Sequence, residues 1–197
     1  MAATSPAVSP HAPHHLPREV IEARLAALPP APAARGVLRS IVSRLPDGVR
    51  ATPERTRLTP SEGVPGDAWG RATDRHSDAQ ITVMRHGVAD VLADGRPTTL
   101  FGDNLLVELD LAADNMPVGR RWRVGEALLE VSPKPHNGCQ KFRERFGPDA
   151  LQAVQDRRTR HLNRRGVYWR VVEAGDVWVG AAIEAVGARP EEGHIAP

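Results

Sequence analysis

The single cysteine of the chain, Cys139, sits in the segment Lys134-Pro135-His136-Asn137-Gly138-Cys139-Gln140-Lys141-Phe142. It has no partner for an intrachain disulfide. It follows a loop punctuated by Pro and Gly, lies two residues from Lys141, and precedes the amphipathic run Phe142-Arg143-Glu144-Arg145-Phe146. A thiol where a loop enters a helix, beside a cation, is placed to ionise near neutral pH, because orphan backbone N–H groups and an ammonium favour the thiolate. A thiolate serves as nucleophile, sulfur carrier or soft metal ligand. The competing reading is a buried structural cysteine, since free Cys packs as a small hydrophobe. His136, three residues before Cys139, has the spacing of half a zinc site, but no second ligand pair is evident.

Composition narrows the setting. A chain of 197 residues with 41% hydrophobic content can build one core of ordinary size. Only two of its 26 basic residues are lysine, Lys134 and Lys141, leaving 24 arginines and a high isoelectric point despite a net charge of +2. One cysteine suits a reducing compartment. No apolar run reaches the roughly 18 residues of a membrane span. The start, Met1-Ala2-Ala3-Thr4-Ser5-Pro6, lacks the basic and apolar regions of a secretory signal, so a cytoplasmic protein is expected. The run Arg157-Arg158-Thr159-Arg160-His161 through Arg164-Arg165 is basic, but it lacks interleaved aromatics and a nucleic-acid reading motif. A solvated face or a phosphate contact is preferred for it. No nucleotide-binding glycine fingerprint occurs.

These groups must be held by elements whose periods are legible. Residues 1–35 read as a Pro/Ala-rich arm: a polar tail with His11, His14 and His15, then a short amphipathic helix at 18–28 stopped by Pro29, Pro30 and Pro32. From Gly36 the signals are mostly β. Strands are expected at Val37–Leu45, Gln80–Met84 and Leu105–Glu108, with a short helix at His86–Ala93. A hairpin is expected at 120–131 around Gly125-Glu126, and a second at 166–179 around Ala174-Gly175. Helical patterns run over Gln140–Phe146 and Pro148–Asp156, and Ala181–Val186 is placed to close the sheet. The fold class is mainly β: a closed, twisted barrel over residues 36–186 with a few short helices, followed by a tail at 187–197.

The order of these landmarks resembles the MOSC family, the domain found at the C-terminus of molybdenum-cofactor sulfurases. The matching pieces are Gly63-Val64-Pro65-Gly66-Asp67, Gln80-Ile81-Thr82-Val83-Met84 and Phe101-Gly102-Asp103-Asn104-Leu105. Val118-Gly119, Val124-Gly125, the Cys139 segment, Arg165-Gly166-Val167-Tyr168 and Gly175-Asp176-Val177-Trp178-Val179-Gly180 complete the set. After Gly66-Asp67 the chain reads Ala68-Trp69-Gly70, where many bacterial relatives carry a basic or His-rich run.

The resemblance implies a twisted closed barrel whose late cysteine holds molybdenum cofactor or a persulfide. Some family members reduce N-hydroxylated bases with the cofactor at this cysteine; others deliver sulfur. Cys139 is then the catalytic residue and the metal ligand. Pyridoxal phosphate belongs to a separate desulfurase domain and is not expected. A pterin phosphate needs cations and backbone donors, for which Arg75, Arg85, Arg164, Arg165 and Lys141 are candidates. Gly66 and Asp67 are expected in a turn at the pocket rim, and Asn104 at a pterin edge or substrate. Asp103 is a proton donor if buried, and His76 a proton relay. Two further readings stay open: a sulfur carrier served by a cysteine desulfurase, and a non-catalytic barrel module. The reductase reading requires an outside electron-transfer partner, since no flavin, haem or iron–sulfur signature is present. The sequence does not set the oligomeric state.

Overall fold

The computed structural model describes residues 15–187. The readings of His11, His14 and the tail beyond Gly187 concern residues outside that range. The body is built on eleven strands: β1 (Arg35–Ile41), β2 (Ser43–Arg44), β3 (Arg50–Ala51), β4 (Arg55–Leu58), β5 (Ile81–Arg85), β6 (Leu105–Glu108), β7 (Arg121–Val124), β8 (Ala127–Val131), β9 (Val167–Glu173), β10 (Gly175–Trp178) and β11 (Ala182–Val186). Seven of them close a barrel in the order β1-β11-β7-β8-β9-β5-β6. All pairings around it are antiparallel except β5 with β6. A parallel pair needs a crossover, and helix α3 (His86–Ala93) supplies it.

Period-two alternation decides which side chains fill the barrel. Ile81 and Val83 of β5, Leu105 and Val107 of β6, Trp122 and Val124 of β7, and Val167, Trp169 and Val171 of β9 form one interior cluster. Trp122 and Trp169 are fully buried and stack with centroids 6.2 Å apart. Burying about 200 Å² of each ring is worth about 5 kcal/mol, which outweighs the roughly 1–3 kcal/mol of an unpaired indole N–H. Both indole Nε1 groups lack a hydrogen-bond partner.

The residues that alternate outward on β5 and β6, Met84 and Leu106, are equally buried because helices cover them. This second core joins α1 (Arg18–Ala26), α3 and α4 (Gln140–Gln155). Ile21 and Leu25, four residues apart, put the apolar stripe of α1 into it. The helix expected near the N-terminus therefore packs on its own chain, chiefly against α4. His15, expected in a solvated tail, lies against Gly147 with its Nε2 buried.

Two local expectations are corrected. The strand expected from Val37 to Leu45 ends at Ile41; Val42 intervenes, and Ser43 and Arg44 pair instead with Ala51 and Arg50. The second hairpin does not form. Only Ala174 separates β9 from β10, too short a link to reverse the chain into a ladder, and β10 pairs with β4, a strand not expected at all. The two helical patterns expected after Cys139 are present as read: the helix is broken at Gly147, where φ is 91°, and Pro148 begins the second segment. Among the described residues no helix is long and apolar enough to cross a membrane.

Gly166 opens β9 with φ at 100°, and a Cβ there would lie 2.1 Å from the Val83 carbonyl oxygen. Both the backbone angle and the contact require glycine. Gly166→Ala is expected to lower stability by more than about 2 kcal/mol, read as a fall in the urea unfolding midpoint at unchanged slope.

Candidate active site

On the outer face of the barrel, across β5, the loop before β6, the stretch between β8 and α4, the start of α4, the β2–β3 turn and the start of β9 come together. Between them lies a cavity of about 460 Å³. Cys139 reaches it as the residue that caps α4: its carbonyl accepts from Arg143 N, its backbone is extended, and its side chain is exposed and makes no capping bond. The loop behind it is tight. The Gly138 carbonyl accepts from Gln155 Nε2 at 2.9 Å, and a Cβ on Gly138 would meet Leu151 Cδ1 at 2.3 Å.

The floor is ionic and buried. Asp103 has no side-chain exposure, and both its oxygens accept from Arg165 Nη1, at 3.0 and 2.8 Å. Burial pushes the Asp103 carboxyl above its ordinary range, against the pull of Arg165 and Arg44. Arg165 lies over the Phe142 ring at 5.2 Å, and its Nε is buried without a partner. His136, whose side chain is 5% exposed, places Nδ1 3.7 Å from Asp103 Oδ1, beyond a hydrogen bond. Nδ1 has no other partner, and the ring packs on Tyr168 with centroids 4.4 Å apart. Burial, then the charges of Arg165 and Arg44, hold His136 well below the ordinary histidine value, so it is neutral at neutral pH. Tyr168 is shifted upward, chiefly by burial.

The walls are cationic: Arg44, Arg50, Lys141, Arg145 and Arg165 line the cavity, and Asp103 is its one carboxylate. Arg44 is committed to Asp67 through a two-bond fork, Nε to Oδ1 at 2.9 Å and Nη2 to Oδ2 at 2.6 Å. Burial opposes the charge on Asp67, but Arg44 and the backbone N–H groups of Trp69 and Arg44 outweigh it and hold the carboxyl below its usual range. Arg50 has no such carboxylate. Burial and the neighbouring charges of Arg145 and Arg44 lower its proton affinity, although a guanidinium stays charged.

The expected site residues fall into separate places. Cys139, Lys141, Arg165, Asp103 and His136 line the one cavity. Gly66 turns the chain with φ at 69° and accepts from Arg71, while Asp67 is buried beneath the rim as the cap of α2 (Ala68–Arg71). Asn104 is fully buried below the cavity: it accepts from Thr82 N and Oγ1 at 3.1 and 2.9 Å and donates to the Val42 carbonyl at 3.1 Å. Arg75 lies outside the cavity, over the Trp69 ring and bonded to the Gly70 carbonyl. Arg85 pairs with Glu108, and Arg164 with Glu22. His76 is exposed and caps a short 3₁₀ turn through Nδ1. His136 faces Asp103 and Tyr168 rather than a second metal-ligand pair, and the described residues hold no group of three or more His, Cys, Asp or Glu side chains arranged for a metal ion.

The sequence reading missed Arg44, Arg50, Arg145 and Tyr168. Arg145 was recoverable, because Phe142 and Phe146 define the buried face of the first turns of α4 and position 145 falls beside it. Nothing local marks Arg44 or Arg50.

Residues 73–184, more than half of the chain, match the model of the MOSC domain, and the chain belongs to the MOSC domain family. No curated protein matches it. Among solved structures it is similar to the YuaD protein from Bacillus subtilis, with 18% identity and a TM-score of 0.55 over 79% of this chain and 97% of that one. It is also similar to YiiM from Geobacillus stearothermophilus, with 22% identity and a TM-score of 0.55 over 77% of this chain and 75% of that one. A hypothetical protein of known crystal structure shares 22% identity at a TM-score of 0.57, covering 78% and 69%. At these identities the likeness establishes the fold.

Two outcomes follow from the buried groups. His136 in the unfolded chain takes up a proton near 6.5, whereas the folded protein resists it. Stability is therefore expected to fall on acidification below that value, by up to about 1.4 kcal/mol per pH unit for this proton. His136→Gln is expected to flatten the profile between pH 7 and 5, checked by urea unfolding across that range. Asp67 acts lower on the scale. Its depressed value contributes stability above the unfolded carboxylate value of 3.8 that is lost as pH falls through the folded one, so Asp67→Asn is expected to be less stable at neutral pH and less acid-sensitive below pH of about 4.

Proposed function

We propose that the Cys139 cavity binds molybdenum cofactor, with the cysteine sulfur as the protein ligand to the metal. The observation that carries this reading is an exposed thiol on a cavity with five cationic side chains and one buried carboxylate. The donor set fits the group. Soft sulfur suits molybdenum. Arg50 and Arg145 are crowded cations that gain from an anion such as a pterin phosphate, and Lys141 adds a third charge beside them. The volume lies within the usual range for small-molecule sites. When bound, the cofactor supplies two-electron oxygen-atom chemistry at the metal.

The finer reading is reduction of an N-hydroxylated substrate, in which an N–O bond breaks, two electrons enter from a separate donor protein, and two protons yield the amine and water. The chain's own residues bind, orient and shield. Arg165 and Asp103 fix the floor, Phe142 and Phe146 on the wall exclude water, and neutral His136 stands between the buried carboxyl and the solvent-facing loop. The exposure of Cys139 favours one second reading, a sulfur carrier that a cysteine desulfurase can reach. A cytoplasmic location accords with both.

Protein from a cofactor-competent host is expected to carry molybdenum, and Cys139→Ala to lose it by at least about tenfold, while the cofactor-free forms of the two proteins melt at the same temperature, since an exposed side chain adds little stability. Equal metal in both proteins overturns the cofactor reading. A mass gain of about 32 Da after incubation with a cysteine desulfurase and cysteine, absent in Cys139→Ala, selects sulfur carriage instead.

A further inference from the structure

A second cavity, of about 330 Å³, adjoins the first and shares His136, Asn137 and Arg165 with it. Its remaining wall comes from the end of α4 and from the 3₁₀ stretch Arg157–Leu162. Three guanidinium groups line it, those of Arg157, Arg160 and Arg165, and no Asp or Glu does. The neighbouring carboxylate that would neutralise them is already engaged: Asp156 accepts from Arg158 and pairs with Arg18. The Arg157 side chain forms no hydrogen bond or ion pair with any described residue. Arg160 makes a single 3.5 Å contact, to Asn137 Oδ1. Arg165 is committed to Asp103 through one nitrogen, and its Nε is buried without a partner.

Guanidinium groups gathered around one concavity repel unless an anion joins them, and their forks match the oxygens of phosphate and carboxylate. Pro135 and Val154 give the same cavity an apolar side. The volume exceeds that of an oxyanion alone and leaves room for a small organic body.

We propose that this second cavity is a binding site for a small organic oxyanion, a phosphate ester or a carboxylate, separate from the cofactor site and held by Arg157, Arg160 and Arg165. The site stands whether or not Cys139 holds molybdenum, because the cations invoked for the cofactor phosphate, Arg50, Lys141 and Arg145, lie on the first cavity alone. An occupant would rest against Asn137 and Gln155, the residues that flank and tether the Cys139 loop.

The test is calorimetric titration of the full chain at physiological salt, which screens diffuse surface binding. Glycerol 3-phosphate and succinate are the two probes, with inorganic phosphate as the bare anion. Saturable binding of one equivalent of either organic probe is expected. Arg157→Ala/Arg160→Ala is expected to weaken it by about tenfold or more, while Arg50→Ala/Lys141→Ala leaves it within about twofold. Preference for glycerol 3-phosphate assigns a phosphate ester, and preference for succinate a carboxylate. Arg157→Glu, a charge reversal at an exposed side chain without a partner among the described residues, gives the same loss if the double variant fails to fold. No saturable binding, binding of bare phosphate alone, or a loss confined to or equal in the Arg50/Lys141 variant overturns the proposal.

Discussion

The ion pair between Asp103 and Arg165 is the interaction on which the site depends. Asp103 stands just before β6 and Arg165 just before β9, and these strands flank β5 on opposite sides. The pair therefore reaches across the outer face of β5 and ties together three neighbouring strands. A buried pair of this kind is not a large net source of stability, because desolvation offsets most of the attraction. Its consequence is positional. Each charge can sit in the interior only beside the other, so the two loops have one way to meet. Arg165 then lies over Phe142, which orients the first turn of α4 and hence Cys139 at its start.

Below this pair the structure is braced by neutral groups. Asn104 Oδ1 accepts from Thr82 N and Oγ1, its backbone N–H donates to Thr82 Oγ1, and its Nδ2 donates to the Val42 carbonyl, so one residue joins β5, the start of β6 and the end of β1. The fork between Arg44 and Asp67 does the same for the rim. Arg50, Lys141 and Arg145 line the cavity without a carboxylate partner among the described residues, so their charge faces the space.

Local pattern made much of the barrel legible. Strand β6 and the hairpin of β7 and β8 stand where alternation and the Gly125-Glu126 turn put them, because a tight turn and a period of two are short-range facts. The pairing of β10 with β4 was not legible. It joins Asp176 to Arg57 across more than half the chain, and no local preference encodes such a partner. The site divides in the same way. Cys139, Lys141 and His136 share one segment, and Arg165 opens a recognisable strand. Arg44 and Arg50 enter only because the short two-stranded ribbon of β2 and β3 folds beside the cavity. Asn104 and Asp67, read as ligand contacts, are instead buried within the protein, a distinction that residue type alone does not carry.

The chain offers one sulfur nucleophile, and it is on the surface. That fixes a stoichiometry. Whatever Cys139 takes up, one chain takes up one equivalent, and a count of native thiols in a preparation is also a count of vacant sites. Oxidation is bounded in the same way. With no second cysteine to resolve it, a disulfide can join this chain to only one other molecule, so oxidative damage yields capped chains or covalent pairs and never a crosslinked network.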